Sequence, residues 1–163
     1  MPAMSHAIEA GSKAPDFEAV DDGGATRRLS DYRGRTVILY FYPKDNTSGC
    51  TKEACDFRDL HAKFASRDCV VLGVSPDSPK SHQGFKTKYK IPFPLLADED
   101  KLLCKAYGVW KEKSFMGRRY MGVERSTFVI GPDGRVASVE RKVSVPGHVK
   151  AVLESVSAGV AQR

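Results

Sequence analysis

The run "TVILYFYP", Thr36 to Pro43, limits the possible folds more than any other stretch of the chain. It is β-branched and aromatic, apolar at every position before the proline that stops it, and so reads as a strand covered on both faces. Such a strand belongs in the middle of a sheet. A second run of the same kind, "CVVLGVS" (Cys69 to Ser75), follows it, and between the two Ala54, Phe57, Leu60 and Phe64 recur at helical spacing. Strand, helix and strand in that order make a βαβ unit, whose two strands run parallel.

The rest of the chain completes a layered pattern. "KSHQGFKTKYK" (Lys80 to Lys90) reads as a helix, with Ser78 as its cap, Pro79 at its first position, and His82, Phe85 and Tyr89 on one side. The two prolines of "IPFPLLAD" imply a turn or an extended edge, before a short helix from about Asp100 to Tyr107. "STFVI" (Ser126 to Ile130) and "RVASVER" (Arg135 to Arg141) flank the turn signal "GPDG" and form an antiparallel hairpin. A last helix runs from about His148 to Val156, and the first 35 residues form an irregular or hairpin prelude around Phe17 to Val20. The sum is a single-domain α/β sandwich with a mixed central sheet flanked by helices. Residues 1–10 are expected to be a flexible N-terminus and 11–163 the domain.

Composition excludes several classes of function. With 163 residues, 41% of them hydrophobic, the chain can bury a core without cross-links, and four cysteines are too few for a disulfide scaffold. The N-terminus "MPAMSHAIEAGSKAPDF" has no basic region followed by an apolar run, which points to a reducing compartment, the cytoplasm. No stretch approaches the roughly 18 consecutive apolar residues of a membrane span. The net charge of +6 is spread along the chain instead of forming a block, so a basic surface is expected rather than a nucleic-acid site.

Chemistry concentrates in "PKDNTSGCTKEAC", Pro43 to Cys55. Cys50 follows Gly49 where the central strand's loop becomes the helix, and the unpaired N–H groups and dipole of that end favour an anion such as a thiolate. Thr47 can offer its hydroxyl to the sulfur or to an oxygen bound beside it, and Pro43 shields one side from water. If the substrate were a peroxide, charge would develop on the leaving oxygen and fixed donors would stabilise it. Arg125, just before "STFVI", is the best candidate for that donor, and Glu53 either holds Arg125 or caps the first helical turn.

Cys55 raises a geometric problem. Residues five apart in a continuous helix lie about 140° apart in rotation, with Cα atoms about 8.7 Å apart, whereas a disulfide needs about 4.4 to 6.8 Å. Cys50 shares a stripe with Ala54 and Phe57, and Cys55 lies with Asp59, Ala62 and Ser66. A Cys50–Cys55 bond therefore requires the first turns to unwind, and the pair is a switch rather than a static cross-link.

The segment "FYPKDNTSGCTKEACDFRD" resembles the active site of the peroxiredoxins, in which Pro, three residues, Thr, two residues and Cys match Pro43, Thr47 and Cys50. A second cysteine five positions on resembles the peroxiredoxin Q group, also called bacterioferritin comigratory proteins. "SPDSPKSHQGFKTKYKIPFPLLAD", "YGVWKEKSFMGRRYMG" and "ERSTFVIGPDGRV" are similar to that group's later blocks, so the likeness spans Gly11 to Glu154. The resemblance implies a thioredoxin-like fold and reduction of hydrogen peroxide and organic hydroperoxides without a metal or organic cofactor. It implies Cys50 as the peroxidatic cysteine, oxidised to sulfenic acid, with Thr47 and Arg125 binding peroxide and activating the thiolate. Cys55 would resolve the sulfenic acid as an intramolecular disulfide that thioredoxin reduces, with glutaredoxin as a further candidate reductant, in a monomer. Ser48 departs from the proline that many members carry there, which bears on rate rather than mechanism.

Other residues read more plainly. Cys69 and Cys104 lie in apolar runs and are expected to pack as small hydrophobes. Trp110 and Phe115 to Tyr120 form either a lid near the site or part of the core. The histidines are scattered, so no metal constellation emerges. Two rival functions remain: a thioredoxin-type disulfide exchanger, against which the absent C-x-x-C argues, and a thiol redox sensor using the same unwinding.

Overall fold

The computed structural model describes residues 8–161. The chain opens with a short antiparallel pair, β1 (Glu18–Asp21) and β2 (Thr26–Arg28), and then enters β3 (Thr36–Phe41). After β3 come α1 (Ser48–Asp59), α2 (His61–Ser66) and β4 (Cys69–Ser75). Next are α3 (Pro79–Tyr89), β5 (Leu95–Ala97) and α4 (Leu102–Ala106). A hairpin of β6 (Trp110–Phe115) and β7 (Arg118–Val123) precedes β8 (Ser126–Ile130), β9 (Val136–Arg141) and α5 (His148–Ala161).

Seven strands form one sheet in the order β2-β1-β5-β4-β3-β8-β9. β3 pairs parallel with β4, Thr36 opposite Cys69, and antiparallel with β8, Tyr40 opposite Thr127. Every residue of β3 is buried. Ile38, Tyr40 and Tyr42 face one core with Ala54, Phe57, Phe64 and Phe85 of the helices, while Val37, Leu39 and Phe41 face another with Leu103, Cys104 and Tyr107. A fully apolar strand is thus what two covered sheet faces require. Gly73 of β4 serves the same packing, because a Cβ there would lie 3.0 Å from the Tyr40 ring and from Leu95. The arrangement is the expected thioredoxin-like sandwich of mixed sheet and flanking helices.

Three local features differ from the sequence reading or refine it. The helix between β3 and β4 is broken at Leu60, although Phe57 and Phe64 still meet across the break with ring centroids 5.8 Å apart. β5 is an interior strand, since β1 pairs along its outer side. Pro92 and Pro94 precede its first residue, so neither removes a donor from the ladder, and the Pro94 carbonyl still accepts from Gly73 N–H at 3.2 Å. Finally, the segment after Trp110 is a separate two-stranded ribbon, with Phe115, Met116, Tyr120 and Met121 exposed and only its root at Val123 buried. Of the expected flexible N-terminus, residues 1–7 lie outside the described residues, and Ile8 packs against the second core. Among the described residues no helix is long and apolar enough to cross a membrane.

Candidate active site

The central strand delivers the site. Beyond Phe41 the chain passes through Tyr42 and the half-buried Pro43 into a four-residue loop, and Thr47 is the N-cap of α1. The Thr47 hydroxyl does not cap the helix; it donates to the Lys44 carbonyl at 2.9 Å. Two consequences follow. Thr47 makes no side-chain cap hydrogen bond, so it leaves the first-turn N–H groups of α1 without that partner. The hydroxyl proton is committed to Lys44, so toward other atoms Thr47 presents lone pairs.

Cys50 stands in that first turn with 1% of its surface exposed, packed with Tyr40 and Ala54. Antiparallel pairing of Phe41 with Ser126 brings Arg125, the residue before β8, alongside it. Arg125 Nη2 lies 3.3 Å from Cys50 Sγ, and Nη1 donates to Glu53 Oε1 at 2.7 Å. Gly49 makes room for this, since a Cβ there would be 3.2 Å from Nη2. The guanidinium inferred from sequence is therefore at the thiol, and of the two roles open to Glu53 the structure has it holding Arg125.

Glu53 is fully buried, and its Oε2 has no hydrogen-bond partner; nor has the hydroxyl of buried Tyr40. Burial pushes the Glu53 carboxyl up to about 7, against the opposing pull of Arg125. Burial, with the charges of Glu53 and Cys50 after it, also raises the Tyr40 phenol well above its ordinary value, so Tyr40 keeps its proton. For Glu53 the folded state binds the proton more tightly than the unfolded chain, whose carboxyl has the ordinary value of 4.5. Stability contributed here is accordingly present below 4.5 and lost as pH rises toward 7, by about 3 kcal/mol in all. Urea unfolding at pH 5 and pH 8 should show that loss in the wild type and a much flatter profile in Glu53→Gln.

A second cation stands near the first. Lys113 of β6 donates from Nζ to the Val123 carbonyl at 2.6 Å; burial lowers its affinity for a proton, and the Arg125 charge lowers it further. Sequence reasoning missed it, because the ribbon gives no sign of which face meets the site.

Cys55 is half-buried on the same unbroken α1, and none of the four cysteines is disulfide-bonded. Cys69 is buried and bonds through its sulfur to the Arg67 carbonyl at 3.6 Å. Cys104 is fully buried, its thiol pushed far up by burial and by Asp98. Both meet the expectation of packing thiols. Among the described residues the scattered histidines did conceal one cluster: Asp45 of the loop, Asp77 and His82 bring their polar atoms within 4.8 Å of one another. Its only sequence sign was the placement of His82 on the apolar side of α3.

The chain matches the AhpC/TSA family over residues 10–139. It is 53% identical over 148 residues to peroxiredoxin Bcp of Bacillus subtilis, covering 91% of this chain and 94% of that one. Against peroxiredoxin Bcp of Xanthomonas campestris the identity is 45% over 140 residues, 86% of this chain and 88% of the relative. The solved structure of Xanthomonas campestris peroxiredoxin Q superimposes with a TM-score of 0.88 at 42% identity, covering 93% of this chain and 98% of that one. A structure of the bacterioferritin comigratory protein of that organism, described with its alkyl peroxide reduction activity, gives 0.88 at 41% over 93% and 99%. With the paired thiols, the guanidinium at Cys50 and likeness along nearly the whole chain agreeing, the protein belongs to the AhpC/TSA family and to its peroxiredoxin Q, or Bcp, group.

Proposed function

We propose that the chain is a thiol peroxidase that reduces hydrogen peroxide and organic hydroperoxides through Cys50 and Cys55. The observation that supports this most is the Arg125 guanidinium 3.3 Å from the Cys50 sulfur at the uncapped end of α1. An anion at that sulfur meets a full positive charge and the helix N-terminus together.

In the reaction, the Cys50 thiolate attacks one peroxide oxygen. The S–O bond forms as the O–O bond breaks, and the other oxygen leaves as water or an alcohol once protonated. Arg125 and the first-turn N–H groups act on the negative charge that moves from sulfur to the leaving oxygen. Thr47, whose own proton goes to Lys44, can accept a hydrogen bond from the peroxide O–H and so align it. Pro43, half-buried just after β3, would shield one side of the site from water. Cys55 then attacks the Cys50 sulfenic acid, forming the disulfide and releasing water. Thioredoxin is the proposed reductant; because both cysteines lie on one helix, the cycle needs no second subunit, and the protein acts as a monomer in the cytoplasm.

Steady consumption of peroxide and NADPH with thioredoxin and thioredoxin reductase tests the proposal; a protein that oxidised once and stopped would refute it. Arg125→Met should lower the second-order rate constant of Cys50 oxidation about 10²- to 10³-fold, the range for losing one preorganised transition-state donor. Stopped-flow oxidation under excess peroxide measures this, and a change below about threefold would exclude a transition-state role.

A further inference from the structure

The loop that carries Pro43 to Thr47 is fastened to the β4–α3 turn and to α3 through Asp45. Asp45 N–H donates to Asp77 Oδ2 at 2.8 Å. Its carboxylate receives three donors: the Tyr42 hydroxyl at Oδ1, 2.6 Å away, and the Ser81 hydroxyl at Oδ2, 2.8 Å away, with His82 Nδ1 at 2.7 Å from the same oxygen. His82 is fully buried, and its other nitrogen, Nε2, lies 2.9 Å from the Leu96 carbonyl. A carbonyl can only accept, so Nε2 carries a hydrogen. Between Nδ1 and the Asp45 carboxylate oxygen, 2.7 Å apart, a proton must lie for the contact to be attractive. The ring thus bridges β5 and the loop.

We infer that His82 is a positioning residue for Cys50 oxidation: by donating to Asp45 it holds the Pro43–Thr47 loop, and with it the start of α1, in the register that receives peroxide. The inference rests on the peroxidase reading above. Asp45 is two residues before Thr47, whose hydroxyl turns back on Lys44, and Asn46 between them takes a positive φ of 66°. A loop this short, with a residue in the left-handed region, has few other conformations that keep both contacts. The charged and titratable groups facing the ring are Asp45 from the loop and Asp77 from the β4–α3 turn, with the Tyr42 hydroxyl at 3.5 Å. Asp77 is itself tied by the Ser75 hydroxyl at 2.6 Å. The anchor also lies on the N-terminal side of Cys50, outside the turns that must unwind toward Cys55. It would stay in place while α1 opens, and guide the loop back on reduction.

Two substitutions separate this role from simple packing. In His82→Asn the amide nitrogen can replace Nδ1 and keep the bond to Asp45 while losing Leu96; in His82→Gln the longer amide can replace Nε2 and keep Leu96 while losing Asp45. Rapid quench with thiol blocking and intact mass follows Cys50 oxidation and disulfide formation as separate steps. His82→Gln should slow Cys50 oxidation about tenfold or more, as a misplaced reacting group does, with disulfide formation unchanged or faster. His82→Asn should oxidise within about threefold of wild type. Equal oxidation rates in the two variants, or rates that follow their melting temperatures, would overturn the inference. Nitrogen-15 NMR of the reduced wild type gives an arm that needs no variant: both ring N–H signals of His82 should be present and protected from exchange, and loss of the Nδ1–H would also overturn it. Failure of the wild type to react with peroxide at all would instead refute the peroxidase reading.

Discussion

Cys50→Ser should reduce peroxide consumption to background. A serine hydroxyl is not ionised at neutral pH, and Arg125 cannot make it a nucleophile comparable to a thiolate. The substitution is also nearly isosteric at a site with 1% exposure, where Arg125 Nη2 can donate to the new oxygen. Burying that hydroxyl with a partner costs far less than the roughly 1–3 kcal/mol of an unsatisfied one, so the variant should melt within a few degrees of wild type. Loss of activity with retained melting is thus the expected pair of results, measured by peroxide consumption and calorimetry.

The second large effect belongs to Cys55→Ser. Cys55 is half-buried on a different side of α1 from Cys50, and Arg125 and Glu53 do not depend on it. The first oxidation should therefore proceed within about threefold of the wild-type rate, since no reacting group moves. Without the resolving thiol the Cys50 sulfenic acid should persist long enough for a dimedone adduct to be found by mass. Each molecule should reduce one peroxide, and thioredoxin-linked NADPH oxidation should stay at background. A variant that kept full steady-state activity would leave a one-cysteine mechanism.

What the sequence revealed follows how locally each feature is determined. The uniform apolarity of Thr36 to Phe41 announced a strand buried on both faces, because no other environment accepts it. The place of Cys50 in the first turn of α1 was read from the passage of loop into helix at Gly49, and its separation from Cys55 follows from helix geometry. Arg125 could be selected as a candidate by type and position, but only the β3–β8 register places it on the sulfur. The fate of the Thr47 hydroxyl was not legible, since the choice between helix N–H, sulfur and the Lys44 carbonyl depends on a loop set by Asp45. β5 read as an edge because its prolines were visible and its partner β1, some 75 residues earlier in the chain, was not. Likewise the Asp45–His82 contact joins residues 37 apart across two elements. Residue type and spacing could suggest such a pairing only after the topology was known.

The central claim is that one helix holds two states, wound for reaction with peroxide and unwound for reduction. In the wound state the Cα atoms of Cys50 and Cys55 are about 8.7 Å apart, beyond disulfide reach. In the wound state Arg125 lies against Cys50, while Phe57, seven residues on, stacks on Tyr40 with centroids 4.5 Å apart, so an opening confined to the first turns would break the first contact and spare the second. The cost is local, not global. Treating the reduced protein with one equivalent of hydrogen peroxide, blocking free thiols and mapping the peptides tests this most directly. The account predicts a monomer lighter by two hydrogens, with Cys50 joined to Cys55 and with Cys69 and Cys104 blocked as thiols. Cys50 joined to Cys69, to Cys104 or to another chain, with Cys55 recovered as a thiol, would contradict it.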